Sequence, residues 1–309
     1  MITPQTQAKK LAKAIGLSAP LYLKREDRHS LGSHKGRSIP LMIKTYLAQG
    51  ADNFVISSSG NAALAAGLMI KKFNKTRAKK IFLKIFVGRR ADKNKLKKLK
   101  KISKTDKNIS LIQSANPKQQ AFLEQKKSNA RLLRQSCDDT ALTGYHELAK
   151  ELAKIKNISA VFVPTSSGTT AQGLFEGFKK LLDAGAIKTI PQIHIAQTPD
   201  CHPFVNITTN SKNRLAKKIA SDSSQPSLAN AIVDKVARRQ TPIAKVLKNS
   251  HGRGWIADNQ QLLEAVKLVR QTEKIKISFN SALSLAGLRM ALADDDKFFG
   301  PVVLLITGE

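Results

Sequence analysis

"AVFVPTSSGTTAQGLFEGFKKLLDAG", residues 160–185, decides the architecture. "AVFVPT" is a short, nearly unbroken apolar run, the pattern of a strand buried on both faces of a parallel sheet. "GTTAQGLFEGFKKLLDAG" follows as its helix. The same strand-then-helix pairing recurs outward in both directions. "NFVISS" (53–58) precedes the helix "GNAALAAGLMIKKF" (60–73), "KIFLKIFVG" (80–88) precedes a basic helix over 93–104, and "NISLIQ" (108–113) precedes a helix over 117–135. "LYLKR" (21–25), "QIHIAQ" (192–197) and "PVVLLITGE" (301–309) read as further strands. Helices are predicted over 6–15, closed by Gly16, and over 35–50 despite Pro40 near its start. Three more are predicted over 225–239, 258–273 and 281–292. Such alternation indicates an α/β protein with parallel sheet. Residues 199–227, rich in Ser, Thr, Asn and Pro, read as a surface excursion.

The chain has 309 residues and 41% hydrophobic content, enough for one large domain or two intertwined ones. Its net charge is +31, from 53 Lys and Arg against 22 acids. A field of that sign favours phosphorylated small molecules, nucleic acid or anionic lipid and does not choose among them. Much of the excess is local: residues 71–107 carry 17 Lys and Arg and only Asp92 and Asp106. Cys137 and Cys201 form neither a disulfide framework nor a zinc spacing, which points to a reducing compartment. The N-terminus lacks the apolar core of a signal peptide, and no apolar run approaches membrane-spanning length. A soluble, cytoplasmic protein with no membrane partner is expected.

Three strand ends are rich in small or hydroxyl residues: "ISSSGNAAL" (56–64), "VPTSSGTTAQG" (163–173) and "LLITGE" (304–309). Ligands of parallel α/β sheets bind beyond the carboxyl ends of the strands. Ser166, Ser167, Gly168, Thr169 and Thr170 open a helix, where backbone N–H groups point outward with partial positive charge. Small side chains let a phosphate approach that backbone, and the hydroxyls add donors. A Ser/Thr-rich helix cap would carry the same residues. No Walker lysine follows, and no GxGxxG is present, which disfavours nucleotide chemistry. In the first loop Ser58 or Ser59 caps a helix, Gly60 eases the turn, and the Asn61 amide caps or holds a ligand. Lys35, set among Gly32, Ser33 and Gly36, begins the helix after "LYLKR". A desolvated lysine there is a usable nucleophile toward an aldehyde, and Ser33 and Gly36 leave room for a flat cofactor. A phosphate cradle, a ring-contacting amide, a lysine and a hydroxyl at Thr307 for a ring nitrogen are together the parts needed to hold pyridoxal phosphate.

With these parts in order, the chain resembles the pyridoxal-phosphate enzymes of the tryptophan synthase β fold, fold type II. "KREDRHSLGSHKGR" (24–37) is similar to that family's KxEDxxxxGSxKxR segment, which implies that Lys35 carries the cofactor and is the catalytic residue. "SSSGNAA" resembles the asparagine loop, implying Asn61 on the ring oxygen and Ser58, Ser59, Gly60 and Asn61 near the substrate carboxylate. "PTSSGTTAQG" resembles the phosphate loop, and "LLITG" the closing strand whose hydroxyl, here Thr307, meets the ring nitrogen. The resemblance implies a large cofactor-binding domain of residues 1–44 with 141–309, a small domain of 45–140, the cofactor in the cleft between them, and a homodimer. No metal is implied.

Within the family, "SSSGNAALAA", "QTPDCHPF", "SLANAIVDKVARR", "GRGWIADNQQLLEA" and "SALSLAGL" resemble threonine synthases. That implies a lyase of amino-acid biosynthesis converting O-phosphohomoserine to threonine and phosphate. Cysteine synthase and serine/threonine dehydratase share the general motifs. Ser278 occupies a slot that is often acidic in relatives, and Ser166–Ser167 replace a more Gly-rich pair, so a catalytically degenerate homologue also fits. A nucleic-acid-binding protein built on 71–107 is the reading from a different class. It is disfavoured because only Phe73, Phe82 and Phe86 are aromatic there, and no recognised motif is present.

Overall fold

A computed structural model describes residues 1–89, 91–205 and 225–308. The excursion expected over 199–227 therefore lies for its greater part outside the described residues, as does Glu309. From the N-terminus the elements are β1 (Gln5–Gln7), α1 (Lys9–Ala14), β2 (Leu21–Arg25), α2 (Lys35–Ala48), β3 (Asn53–Ser57), α3 (Asn61–Thr76), β4 (Phe82–Gly88), α4 (Lys93–Thr105), β5 (Ile109–Ser114), α5 (Pro117–Ser128) and β6 (Arg131–Leu132). There follow α6 (Thr140–Leu152), β7 (Ala160–Pro164), α7 (Thr169–Asp183), β8 (Gln192–Gln197), α8 (Gln240–Ser250), β9 (Gly254–Ile256), α9 (Asn259–Glu273), α10 (Phe279–Ala293) and β10 (Val302–Ile306). The chain divides into two compact units, 1–28 with 145–309 and 29–144, so α2 and Lys35 belong to the second.

The first unit holds a six-stranded sheet in the order β1-β2-β10-β7-β8-β9, antiparallel only at β1. Alternate residues face opposite sides. Leu304, Phe162 and Ala196 point to the side covered by α1, α9 and α10, and Val303, Leu305, Val161 and Val163 to the side covered by α6, α7 and α8. Both faces are buried, which explains the unbroken apolar runs. The second unit holds a four-stranded parallel sheet, β5-β4-β3-β6. Phe54 and Ile56 pack with Ile39, Met42 and Ile43 of α2 and Ile70 of α3, and Val55 and Phe86 face Ala121 of α5.

Several predicted elements differ. Residues 5–7 form an edge strand paired with β2, not the start of a helix, and α1 begins only at Lys9. The helix expected to run to 135 stops at Ser128, where Asn129 takes φ 50, and β6 then joins β3. Residues 225–239 are irregular. Their amides are captured by side chains from elsewhere: Ser227 N donates to Asp200 Oδ2 (2.6 Å), Leu228 N to Asn259 Oδ1 (2.8 Å) and Ala231 N to Asn280 Oδ1 (2.9 Å). Helices α6 and α8 and the short strand β9 were not predicted.

The N-terminal segment is tied down by a buried ion pair. Lys24, fully buried, donates to Glu151 Oε2 (2.5 Å), Thr3 O (2.9 Å) and Gln5 Oε1 (3.1 Å), which uses all three ammonium donors. Glu151 also accepts from Thr3 N (3.2 Å). Removing the carboxylate strands a buried ammonium. Glu151→Ala should therefore cost about 3–5 kcal/mol in urea unfolding. The pair Lys24→Met with Glu151→Leu should recover most of that loss. A single-variant loss below about 1 kcal/mol, the size of an exposed pair, would mean the charge is solvated.

Candidate active site

In the second unit the chain reverses after α2 at residues 49–52 and returns as β3. The N-terminus of α2, with Lys35, therefore lies at the carboxyl end of β3, where residues 58–60 lead into Asn61 and α3. Lys35 is half-buried and Ser33 fully buried; the Lys35 amide donates to Ser33 Oγ (3.3 Å). The space beside Gly36 corrects the expectation that it admits a cofactor. The His29 ring fills it, and a Cβ on Gly36 would lie 2.2 Å from Nδ1. Asn61 is the first residue of α3 and is half-buried. Neither Ser58 nor Ser59 caps α3: Gly60 is the N-cap, and Ser58 Oγ accepts from Gly60 N (3.2 Å).

In the first unit residues 165–168 join β7 to α7. Gly168 stands just before the helix at φ +80, a left-handed conformation, and a Cβ there would meet Ile243 of α8 at 2.7 Å. Both facts require glycine. Ser167 Oγ and Thr169 Oγ1 are 2.9 Å apart, and Thr169 and Thr170 are buried. Ser166 Oγ accepts from Val233 N (3.2 Å) and Asp234 N (3.3 Å), so this loop also anchors the irregular segment before α8. Register places Thr307, just past β10, level with Thr165, just past β7. The hydroxyl loop and Thr307 thus share one edge of the sheet, as the strand ends predict.

Sequence reasoning singled out Ser278 but missed Ser281, Gln172 and Arg239, which hold these groups. Ser281 Oγ donates to Gly308 O (3.0 Å), accepts from Thr307 N (3.1 Å) and lies 3.4 Å from Thr307 Oγ1. Ser278 caps α10 and also bonds Gly308 O (2.5 Å). Its serine thus serves the backbone of the closing strand. A buried serine inside the apolar stretch "SALSLAGL" was the available signal. On α7, Gln172 N donates to Gly168 O (3.0 Å), and the Gln172 side chain bridges buried Arg239 (2.9 Å) to Glu176 (2.9 Å). His146 beside Glu176 is the main influence holding that carboxyl below its usual range. No sequence pattern marks Arg239, because its partner lies 67 positions away.

Two parallel α/β units with small-residue loops at their strand ends are the fold of the fold type II pyridoxal-phosphate enzymes. A family model described as "Pyridoxal-phosphate dependent enzyme" matches residues 2–308, and the chain belongs to that family. The threonine synthase of Mycobacterium tuberculosis (strain ATCC 25618 / H37Rv) is 24% identical over 323 residues, covering 99% of this chain and 80% of that protein. Maize serine racemase superposes with a TM-score of 0.77 at 18% identity, over 100% of this chain and 88% of that one. The processed form of threonine deaminase isoform 2 from Solanum lycopersicum does so with 0.77 at 17%, over 100% and 84%. At such identities the superpositions carry the fold alone.

The cofactor is pyridoxal 5'-phosphate. The residues present fit it. Four hydroxyls and a glycine open α7, with no acidic side chain among them, which is a donor set for a phosphate dianion. Among the described residues no group of His, Cys, Asp and Glu could hold a metal ion, and no helix is long and apolar enough to cross a membrane.

Proposed function

We propose that this protein is a pyridoxal-phosphate-dependent lyase of amino-acid biosynthesis, acting as a threonine synthase on O-phosphohomoserine. The observation that carries the reading is the match to threonine synthase along nearly the whole chain. When bound, the cofactor delocalises the electron pair left at Cα of an amino acid. Lys35 would hold the cofactor through its amine, and the same amine, when free, would serve as the base for the proton on Cα. Asn61 would hold the ring oxygen, and Ser58, Ser59 and Gly60 would receive the substrate carboxylate. Ser166, Ser167, Gly168, Thr169 and Thr170 hold the cofactor phosphate. Thr307 would offer the ring nitrogen a neutral hydroxyl, which orients a ring without supplying the charge of a carboxylate. That suits elimination and replacement chemistry. In the net reaction phosphate leaves Cγ, a hydrogen passes from Cβ to Cγ, and water supplies the hydroxyl on Cβ and the proton on phosphate. A homodimer working in the cytoplasm completes the proposal.

The second reading is a serine/threonine dehydratase, favoured by a local match of 72 residues, 23% of this chain, at 38% identity to the L-serine dehydratase/L-threonine deaminase of Bos taurus. One experiment separates them. Holoenzyme is incubated with O-phosphohomoserine, then with threonine, and phosphate, threonine and 2-oxo acid are measured. Phosphate and threonine in equal amounts from the first substrate are expected. Oxo acid and ammonia from threonine, with no phosphate released from O-phosphohomoserine, would replace the proposal with the dehydratase.

A further inference from the structure

The charge of this protein is unevenly placed. Residues 71–107 hold 15 of the +31 net charge, where an even spread over the chain would put about four. On α4, Lys93, Lys97, Lys100, Lys101 and Lys104 follow one another at i, i+4, i+7, i+8 and i+11. At 3.6 residues per turn they fall in one stripe about 100° wide. All five are exposed, whereas Leu99 and Ile102 on the other side of the helix are buried in the core of the second unit. Among the described residues no acidic side chain pairs with any of the five. The two acids that flank the helix serve its backbone and a neighbour. Asp92 caps the N-terminus through Lys95 N (2.9 Å), and Asp106 accepts from Asn74 Nδ2 (2.9 Å). Like charges three and four residues apart destabilise a helix. The stripe is therefore self-repelling and gains by meeting an anionic surface.

We propose that this face of α4 docks on the phosphate backbone of double-stranded nucleic acid, without reading its sequence. The stripe spans eleven residue steps, about 16 Å at 1.5 Å each. A duplex strand carries one phosphate per 3.4 Å or so of axis, which sets about five phosphates against five lysines. The apolar side of α4 is committed to the core, so none remains to enter a membrane interface. The few aromatics of 71–107 disfavour single strands, which need stacking platforms; a duplex backbone needs none. Lysine ammoniums bind phosphate as point charges, which suits contact without base recognition.

The test is a fluorescence anisotropy titration of the cofactor-loaded full chain with a labelled duplex of about 20 base pairs, at roughly 50–200 mM salt. Five phosphate contacts predict a log–log salt slope of about −4.5, an affinity loss near 500-fold over that range. Combined Lys93→Gln, Lys97→Gln, Lys101→Gln and Lys104→Gln should flatten the slope by about four-fifths. Glutamine matches lysine in helix propensity, so the helix survives. The matched control removes four exposed charges from the first unit, at Lys9, Lys10, Lys13 and Lys267, and should leave the slope unchanged. Absent binding at the lowest salt, equal losses in both variants, preference for one duplex sequence, or binding to phosphatidylserine vesicles in place of duplex would each overturn the proposal.

Discussion

Lys35→Ala is expected to lower kcat by about a thousandfold or more, since in the proposed mechanism one side chain supplies both the covalent tether and the proton acceptor. It should also abolish the visible absorption of the lysine-bound cofactor. Borohydride reduction of the native holoenzyme should leave a pyridoxyl group on the peptide containing Lys35, and the variant should carry none. The test is severe in a chain with 53 Lys and Arg. The segment 21–40 holds two lysines, and the structure sorts them. Lys24 is the more deeply buried, but its three donors are consumed by Glu151, Thr3 and Gln5. Lys35 is half-buried at the first position of α2. A pyridoxyl group found on any other lysine of the native enzyme would remove the assignment and the proposed mechanism with it.

Stability should fall steeply in acid because of His194. Its ring lies fully buried in β8, stacked on Phe162 with centroids 4.4 Å apart and planes 11° from parallel, and Trp255 stacks at 6.2 Å on its other flank. Trp255 Nε1 donates to Nδ1 (3.2 Å), so Nε2 carries the proton and gives it to Gln192 Oε1 (2.9 Å). A neutral imidazole satisfies both bonds. Burial first, and the Arg253 charge second, push the imidazolium pKa down to about 3 from the ordinary 6.5. Between those values the unfolded chain binds a proton that the native protein refuses. Each proton bound favours unfolding, so stability is complete above about pH 6.5 and is lost as pH drops toward about 3. The slope is about 1.4 kcal/mol per pH unit, near 5 kcal/mol over the window. His194→Phe keeps the stack and has no proton to bind. Urea unfolding from about pH 7 to about pH 4 should show a wild-type curve steeper than the variant's by about that slope. Parallel curves would show that the ring is protonated in the native state.

How much was legible in the sequence follows from where each piece of information lies. Strands buried on both faces favour apolar residues at every position, so β7 and β10, and the centre of β3, stand out as unbroken runs, whereas β8 carries the buried polar residues His194 and Gln197. The loop at 165–168 is legible from its own small residues, and the left-handed φ at Gly168 is a local demand for glycine. β1 is different: three polar residues become a strand because the edge of β2 is there to pair with them.

Composition, order of elements, the hydroxyl loops and the candidate lysine were set by the sequence itself, because each depends on neighbours along the chain. The tertiary structure alone decided which lysine of 21–40 is consumed by an ion pair, that His29 fills the space at Gly36, and that Ser281 and Arg239 support Thr307 and Gln172. It also left 225–239 without a helix. For the ion pair, Ser281, Arg239 and 225–239 the reason is the same: their hydrogen-bond partners come from distant parts of the chain, and no local pattern records a bond made across 26 to 127 residues. His29 is only seven residues from Gly36, but the direction its ring takes is set by packing.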